Sequence, residues 1–519
     1  MSMLALRDLA LDPVHAIAGA AVVWRADVSA IRWREVAERV RGGGGRLVAL
    51  WAADRRDLGE GFEVWVAYEL ADGALCLRLA MPADAPRYPD IAEVFPAAGR
   101  MQRAAFDLVG VAATGAADTR PWLRHANWPA DTHPLRRDAD AMAACARPDG
   151  IYPFVSVTGE GVHEIAVGPV HAGTIEPGHF RFSILGERVM RLEQHLGYKH
   201  KGVEKRFESM SLLEGGRLAG RVSGDSTVAY AWAYAMALEG IAAVEVPPRA
   251  RWLRALLLER ERIANHLGDL GFIGNDAGLA FALAQFSRLK EDWLRLNAAV
   301  FGHRSLMDLV VPGGMARDLD PAREREIRAQ ILAMEREVAA LQITFDEHAG
   351  LQDRLRHCGR VTPELAGHLG LTGLGGRGSG QAHDLRVNHP MDPYHRVPVA
   401  LVSRQQGDVA ARVAVRFGEI HESLRVIEVL LDSLPHDEVR VDVPVPAAGS
   451  IGVGRIEGWR GEVLVFLEAG PAGTIRRCHP HDPSWQNWPL LEHAVLGNIV
   501  PDFPLINKSF NLSYSGPDL

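Results

Sequence analysis

Thiolates are the side chains best suited to soft metals, so the four cysteines, Cys76, Cys145, Cys358 and Cys478, come first. They lie far apart and form no Cys-x-x-Cys pair, so their spacing gives neither a disulfide framework nor a four-thiolate cluster, and a reducing compartment fits. His479, His481 and the pair His195/His200 are the histidines most open to metal binding, but none has a third partner at a standard ligand spacing. Surface or hydrogen-bonded histidine is the plainer reading. Glu261, Arg262 and His266 fall at i, i+1 and i+5 of a predicted helix and cannot all share one face.

The elements that must position these groups fall into two blocks. Up to about residue 140 the chain alternates a helix near Ile31–Arg41 with the strand patterns RLVALWAAD, FEVWVAYEL and ALCLRLAMP, which reads as a small α/β domain. A Pro-, Asp- and Arg-rich stretch from Trp128 to Gly150 has no apolar period and reads as a linker. It puts the boundary between a domain of residues 1–147 and one of 148–519. The second block carries long helical patterns over Gly186–Glu208, Ser226–Ala243, Arg249–Leu270, Ala282–Gly302, Ala322–Phe345 and Asp408–Ser433. Short strands return after Pro435, so a small sheet at one end of a helical bundle is expected. The whole is an α+β chain: a small α/β domain, then a large, mainly helical one with small peripheral sheets.

Bulk properties exclude some classes. A net charge of −8 without a Lys/Arg block leaves no electrostatic footprint for nucleic acid. The stretch nearest to a membrane span, Thr227 to Val246, is Ala-rich and holds Glu239 and Gly240, which favours a tightly packed bundle helix. No secretory signal is visible at the N-terminus. Composition and periodicity reveal no function beyond this.

Specific strings do. The segment GPVHAGTIEPGHFRF (Gly168–Phe182) resembles the N-terminal signature of the large subunits of energy-converting, group 4 nickel-iron hydrogenases and of the related 49-kDa-type subunit of respiratory complex I. LGYKHKGVEKRFE, LLERERIANHLGDLG, GGRGSGQAHDLR and the tail PDFPLINKSFNLSYSGPDL are similar, in the same order, to blocks of the formate hydrogenlyase and hydrogenase-4 large subunits. In the first block, MQRAAFDLVGV followed by WPADTHPLRRD is similar to the 30-kDa-type subunit of complex I. The resemblance implies a fusion of the two subunits and a hydrogenase large-subunit-like fold for residues 148–519.

In such hydrogenases two Cys-x-x-Cys pairs hold the nickel. The positions matching the first pair are Ser223 and Ser226, and those matching the second are Ser513 and Gly516. Three protonated hydroxyls and a bare glycine replace four thiolates, so the resemblance predicts a degenerate cavity, with Asp225 beside it and no bound metal. It also predicts that these two distant segments converge.

In complex I the same cavity takes a quinone headgroup, held by a His and a Tyr. Those positions fall at Ile175 and Gly224, and Tyr230 is six residues beyond the required place. His171 matches the first His of the loop. Quinone binding in the complex I manner is unsupported, although His171, Glu176, Asp225 and Ser226 leave room for a polar, quinone-accepting cavity. Glu176 matches a proton-passing glutamate of the hydrogenases; a structural carboxylate paired with an arginine is the equal alternative. Arg377 matches the arginine beside the metal's diatomic ligands and, without that metal, is expected to pair with Glu176, Asp225 or Asp384. Asp384 and Arg386 either shape the cavity or fix a loop as an ion pair.

Together these readings give a peripheral-arm subunit of a membrane-bound, complex I-like or hydrogenase-4-like oxidoreductase at the cytoplasmic face of the inner membrane. Glu176, His171, Arg377 and Asp384 are its candidate catalytic residues. The chain is expected to bind no cofactor of its own. A small iron–sulfur subunit would carry the cluster, membrane-embedded subunits would move the ion, and NADH or a quinone would link the electrons. A non-catalytic scaffold is the alternative, and a working nickel-iron hydrogenase is disfavoured.

Overall fold

The computed structural model describes residues 3–19, 21–124, 128–140, 152–171 and 175–519. The expected boundary at 147/148 lies outside them. The first five strands, β1 (Val14–Ile17), β2 (Val23–Asp27), β3 (Arg46–Asp54), β4 (Phe62–Leu70) and β5 (Gly73–Met81), form a sheet of order β1-β2-β5-β4-β3, antiparallel except at β2/β5. Helix α1 (Ala30–Gly42) starts at Ser29, whose hydroxyl accepts the Arg32 N–H, and helix α2 (Ala98–Val109) ends at Gly110, where φ is 83°. A parallel pair, β6 (Arg87–Pro89) and β7 (Ala112–Thr114), flanks α2.

The stretch expected as a linker is anchored in its described part. Leu135 N–H donates to Leu108 O at 2.9 Å, Arg136 Nε to Val109 O at 2.9 Å and Arg137 N–H to Asp54 Oδ2 at 2.9 Å. The free carbonyls at the end of α2 take up this segment's donors, and Trp128 and Leu135 are buried. It lacks apolar period because it docks through hydrogen bonds.

The helix expected over Gly186–Glu208 does not form as one helix, and its first part is strand. A three-stranded antiparallel sheet of β8 (Val162–Val167), β9 (His179–Leu185) and β10 (Arg188–His195) occupies this region, and only α3 (Val203–Phe207) is helical within the remainder. Val189, Leu192 and Leu196 mimic a helical stripe. Gly186, at φ 61°, instead lets the chain reverse and pair β10 with β9.

Helix α4 (Leu212–Ala219), capped by Ser211, falls outside the expected helices, and the others form near their expected bounds: α5 (Thr227–Ile241), α6 (Pro248–Asp276), α7 (Ala280–Phe301), α8 (Pro321–Glu347) and the helix Val409–Asp432. Asp320 caps α8 by accepting the Ala322 and Arg323 N–H groups at 2.9 Å, with Pro321 in the first turn. Between α7 and α8 lies the short ladder of β11 (Val310–Val311) and β12 (Gly314–Met315). Among the described residues no helix is long and apolar enough to cross a membrane.

After Pro435, β13 (Ile451–Glu457), β14 (Glu462–Ala469) and β15 (Ile475–His481) make an antiparallel sheet that is a wedge between the two halves rather than an end-piece. On one face the backbone of α5 runs against Gly452 and Gly454, where any Cβ would collide with Ala237 O and Ala233 O. Close approach of helix to sheet explains why α5 is rich in alanine. On the other face Phe466 packs 5.0 Å from both Trp51 and Trp65, and His479 stacks on Trp51 at 5.1 Å.

Candidate functional site: a degenerate cavity between two distant segments

The loop before α5 and the C-terminal segment meet, as expected. Ser223 Oγ and Ser513 Oγ are 3.0 Å apart, and Ser223 donates to Asp225 Oδ1 at 2.8 Å. A carboxylate only accepts, so the Ser223 proton goes to Asp225 and Ser513 donates to Ser223. Gly516 N–H donates to Ser513 Oγ at 2.9 Å and completes the chain of bonds. Ser223, Ser226 and Ser513 are all buried.

Local sequence explains the convergence. The helix Phe503–Phe510 ends on Asn511 in the left-handed region, at φ 46°, which turns the tail toward α5, and Asn511 Nδ2 donates to Asp269 Oδ1 on α6 at 2.7 Å. Ser226 begins α5 but caps nothing. Glu261 of α6 does so instead, accepting Val228 N–H at 2.7 Å and Ala229 N–H at 3.3 Å.

Arg460, in the turn between β13 and β14, organises the site. It donates to Asp225 Oδ1 at 2.8 Å and Oδ2 at 2.6 Å, to Ser226 Oγ at 3.3 Å and to Asn511 O at 2.6 Å. Burial alone would raise the Asp225 carboxyl, but this guanidinium overrides it and holds the group at about 2. Behind it the Tyr230 hydroxyl donates to Asp482 Oδ2 at 2.6 Å, and Ser484 N–H donates to Asp482 Oδ1 at 2.8 Å. Burial raises Asp482 above the usual carboxylate range against the pull of Arg460.

This donor set does not fit a nickel-iron centre. Three of the four positions offer hydroxyl oxygen already committed to hydrogen bonds. At the fourth, a Cβ on Gly516 would lie 2.5 Å from Asp482 Cγ and 2.8 Å from Asp482 Cβ, so the Asp482 side chain fills the space a cysteine there would need. Among the described residues no group of three His, Cys, Asp or Glu side chains is placed to hold a metal.

The outer rim is open. The Asp225 side chain is 40 % exposed and a Cβ at Gly224 would meet nothing within 4 Å. Glu176 is 36 % exposed; its carboxylate accepts Ser515 N–H at 3.1 Å and faces Lys199 Nζ at 3.8 Å, so its cationic partner is a lysine. His171 packs edge-on to Phe180 at 5.4 Å, and partial burial lowers its pKa, favouring the neutral ring.

Arg377 and Asp384 lie in a separate buried network. Arg377 donates to Glu419 Oε1 at 2.7 Å and Glu457 Oε1 at 2.7 Å, and is 3.6 Å from Asp384. Of the three expected partners it meets Asp384 only, because Glu419 and Glu457 surround it first. Asp384 is gripped by Arg386 at 2.6 Å, and Arg386 also binds Glu259 at 3.0 Å. Burial would raise Asp384, but Arg386 and Arg377 hold it well below the usual carboxylate range. His266, one α6 turn beyond Arg262, bonds Glu419 at 2.8 Å, whereas Glu261 faces α5, so the three α6 residues do divide between faces.

Of the histidines singled out from sequence, three are hydrogen-bonded, His479 to Glu204 at 2.8 Å, His481 to Gln486 at 3.2 Å and His200 to Asp518 O at 2.7 Å, and His195 packs against the Tyr152 ring at 3.9 Å. Arg460, Asp482, Glu419 and Glu457 escaped sequence reading. Only Asp482 carries a local signal, the Asp-Pro-Ser that opens the helix Ser484–Ala494. The other three matter through long-range placement alone.

A family model described as the respiratory-chain NADH dehydrogenase 30 Kd subunit matches residues 26–144, and one described as the 49 Kd subunit matches residues 276–448. The chain belongs to the family of fused 30-kDa- and 49-kDa-type subunits that includes the formate hydrogenlyase and hydrogenase-4 proteins. It is 31 % identical over 486 residues to Formate hydrogenlyase subunit 5 of Escherichia coli (strain K12), covering 92 % of this chain and 85 % of that protein. It is 32 % identical over 489 residues to Hydrogenase-4 component G of the same strain, covering 91 % and 84 %. A chain of the membrane-bound sulfane sulfur reductase, an archaeal respiratory membrane complex, shares the fold with a TM-score of 0.66 at 24 % identity, over 69 % of this chain and 99 % of that one.

Proposed function

We propose that this chain is a peripheral-arm subunit of a membrane-bound, complex I-like or hydrogenase-4-like oxidoreductase, and that it serves electron transfer coupled to ion translocation without a nickel-iron centre of its own. The observation that carries this reading is the Ser223–Ser513 contact. The cavity is closed by hydrogen bonds and Asp482 on its former metal side, while Gly224, Asp225 and Glu176 stay open at the rim. An open polar rim beside a filled pocket suits a surface covered by another subunit. A small iron–sulfur subunit there would bring electrons to an acceptor at the rim, NADH or a quinone would link them, and membrane-embedded subunits would use the energy. The setting is the cytoplasmic face of the inner membrane.

The scaffold reading draws on the buried Arg377 network. That arginine is held by Glu419 through Nε and by Glu457 through one terminal nitrogen, so the loops keep their shape with no centre to hold. One experiment separates the readings: the intact complex is purified, its metals are counted, and cluster reduction by NADH and other donors is followed with and without quinones. Cluster reduction that a quinone reoxidises, with nickel far below one per chain, supports the electron-transfer reading. A partner lacking clusters supports the scaffold. Stoichiometric nickel with hydrogen-dependent dye reduction overturns both.

A further inference from the structure

Between the two halves of the chain lies a cleft of about 510 Å3 whose lining includes none of the serine-site residues. The amino-terminal half contributes Arg41 at the end of α1, Leu47 and Phe95, and the other half contributes His368, Leu369 and Ala382. Apolar walls carrying a few polar groups, at a junction between domains, are the usual setting for a small ligand. Bare backbone keeps the cleft open: Gly44 and Gly370 line it at φ 77° and 79°, and a Cβ on either would meet nothing within 4 Å.

Charge decides what fits. Among the described residues no aspartate or glutamate lines the cleft, in a protein of net charge −8, whereas Arg41, Arg46, His368 and His383 do. Arg46 is already spent on Glu69 and on Glu462 at 3.3 Å. Arg41 is not. Its terminal nitrogens donate to Gly367 O at 3.0 Å and His368 O at 3.3 Å, which leaves three of its five N–H bonds, and among the described residues no carboxylate pairs with it. The other arginines of α1, Arg32, Arg34 and Arg39, pair with Glu35 or Glu38 at 2.6–3.9 Å. Elsewhere the halves meet through closed pairs, Arg100 with Glu492 and Arg476 with Asp57, both at 2.6 Å. Capping of the helix Pro363–Leu369 therefore accounts for the two carbonyl bonds of Arg41 and leaves its charge unmatched.

We propose that this cleft binds a small organic anion, a carboxylate or phosphate on a compact apolar body, with the anionic end on Arg41 and the body against Leu47, Phe95 and Leu369. A guanidinium matches the paired oxygens of either group. The Phe95 ring, 5.9 Å from the Arg41 guanidinium carbon, sets the apolar wall beside the charge. Because α1 and the helix Pro363–Leu369 belong to different halves, the bound anion ties them together at a place where no carboxylate of the chain does so.

Calorimetric titration of the full chain with benzoate, phenyl phosphate, inorganic phosphate and the neutral benzyl alcohol tests the site. Benzoate or phenyl phosphate should bind one to one, the tighter of the two naming the headgroup, and benzyl alcohol should give no measurable heat. Inorganic phosphate should bind at least about tenfold more weakly, because it lacks the apolar contacts. Arg41→Met should weaken the better aromatic anion by about tenfold or more. Ala382→Trp, at an exposed position on the wall, should block both aromatic anions while the circular dichroism stays native. Benzyl alcohol binding as tightly as the anions, unchanged affinity in a folded Arg41→Met, or no heat from any anion would each overturn the site. If Arg41→Met fails to fold, Ala382→Trp decides, since undiminished binding there removes the cleft as the seat of the anion.

Discussion

Ser223 and Ser513, separated by 290 positions in the chain, meet hydroxyl to hydroxyl at 3.0 Å. Their contact closes what two thiolate pairs would enclose in a nickel-iron enzyme, and it ties the start of α5 to the C-terminal segment by hydrogen bonds of ordinary length.

Restoring the cysteines should not restore the metal. The variant Ser223→Cys/Ser226→Cys/Ser513→Cys/Gly516→Cys is expected to take up far less than one nickel per chain, because Asp482 occupies the space at residue 516. Gly516→Cys alone should cost about 1–3 kcal/mol through overpacking. Adding Asp482→Ala should recover part of that loss, a coupling that a double-mutant cycle in urea will measure.

Gly224→Tyr should fold normally. A Cβ there meets nothing within 4 Å, so the change in unfolding free energy should stay within about 0.5 kcal/mol. A loss above roughly 2 kcal/mol would show that the rim is not open.

Arg377→Met should strand Glu419 and Glu457, both nearly inaccessible to water, and cost roughly 3–5 kcal/mol. Arg377→Lys should recover little, since one ammonium cannot replace the two divergent N–H donors that reach these carboxylates. Chemical denaturation of both variants is the measurement.

Stability should fall as pH rises from about 4 toward 7. Burial pushes Asp518 up to about 7, against the Lys199 and Gly197 N–H groups, whereas the unfolded chain titrates near 4. The folded state therefore binds the extra proton within that window, and folding weakens as the pH climbs through it. Asp518→Asn should flatten this slope. Glu204 behaves oppositely: burial would raise it, but Arg477 and His479 hold it at about 2, so its contribution is present above about pH 4 and lost as the pH drops toward 2. Glu204→Gln should remove the acid part of the profile.

The sequence carried much of this fold in local signals: Asp320-Pro321 announced α8, and apolar runs separated by Gly-containing turns marked β3, β4 and β5. It failed at β10, where Val189, Leu192 and Leu196 fit a helix as well as a strand and only Gly186 decides. The serines and Gly516 of the site were legible through resemblance to relatives. Arg460 and Asp482, which fill and polarise it, were not, because their importance comes from segments that meet only on folding.

The aromatic wedge at Phe466 bears on the fusion itself. Trp51 and Trp65 come from the amino-terminal half, Phe466 and His479 from the other, and each would be stranded in water if the halves parted. Peptide continuity is thus dispensable for adhesion: severed between residues 141 and 151, the molecule should persist as a tight heterodimer. Fusion guarantees equal copy number for two pieces already built to stick.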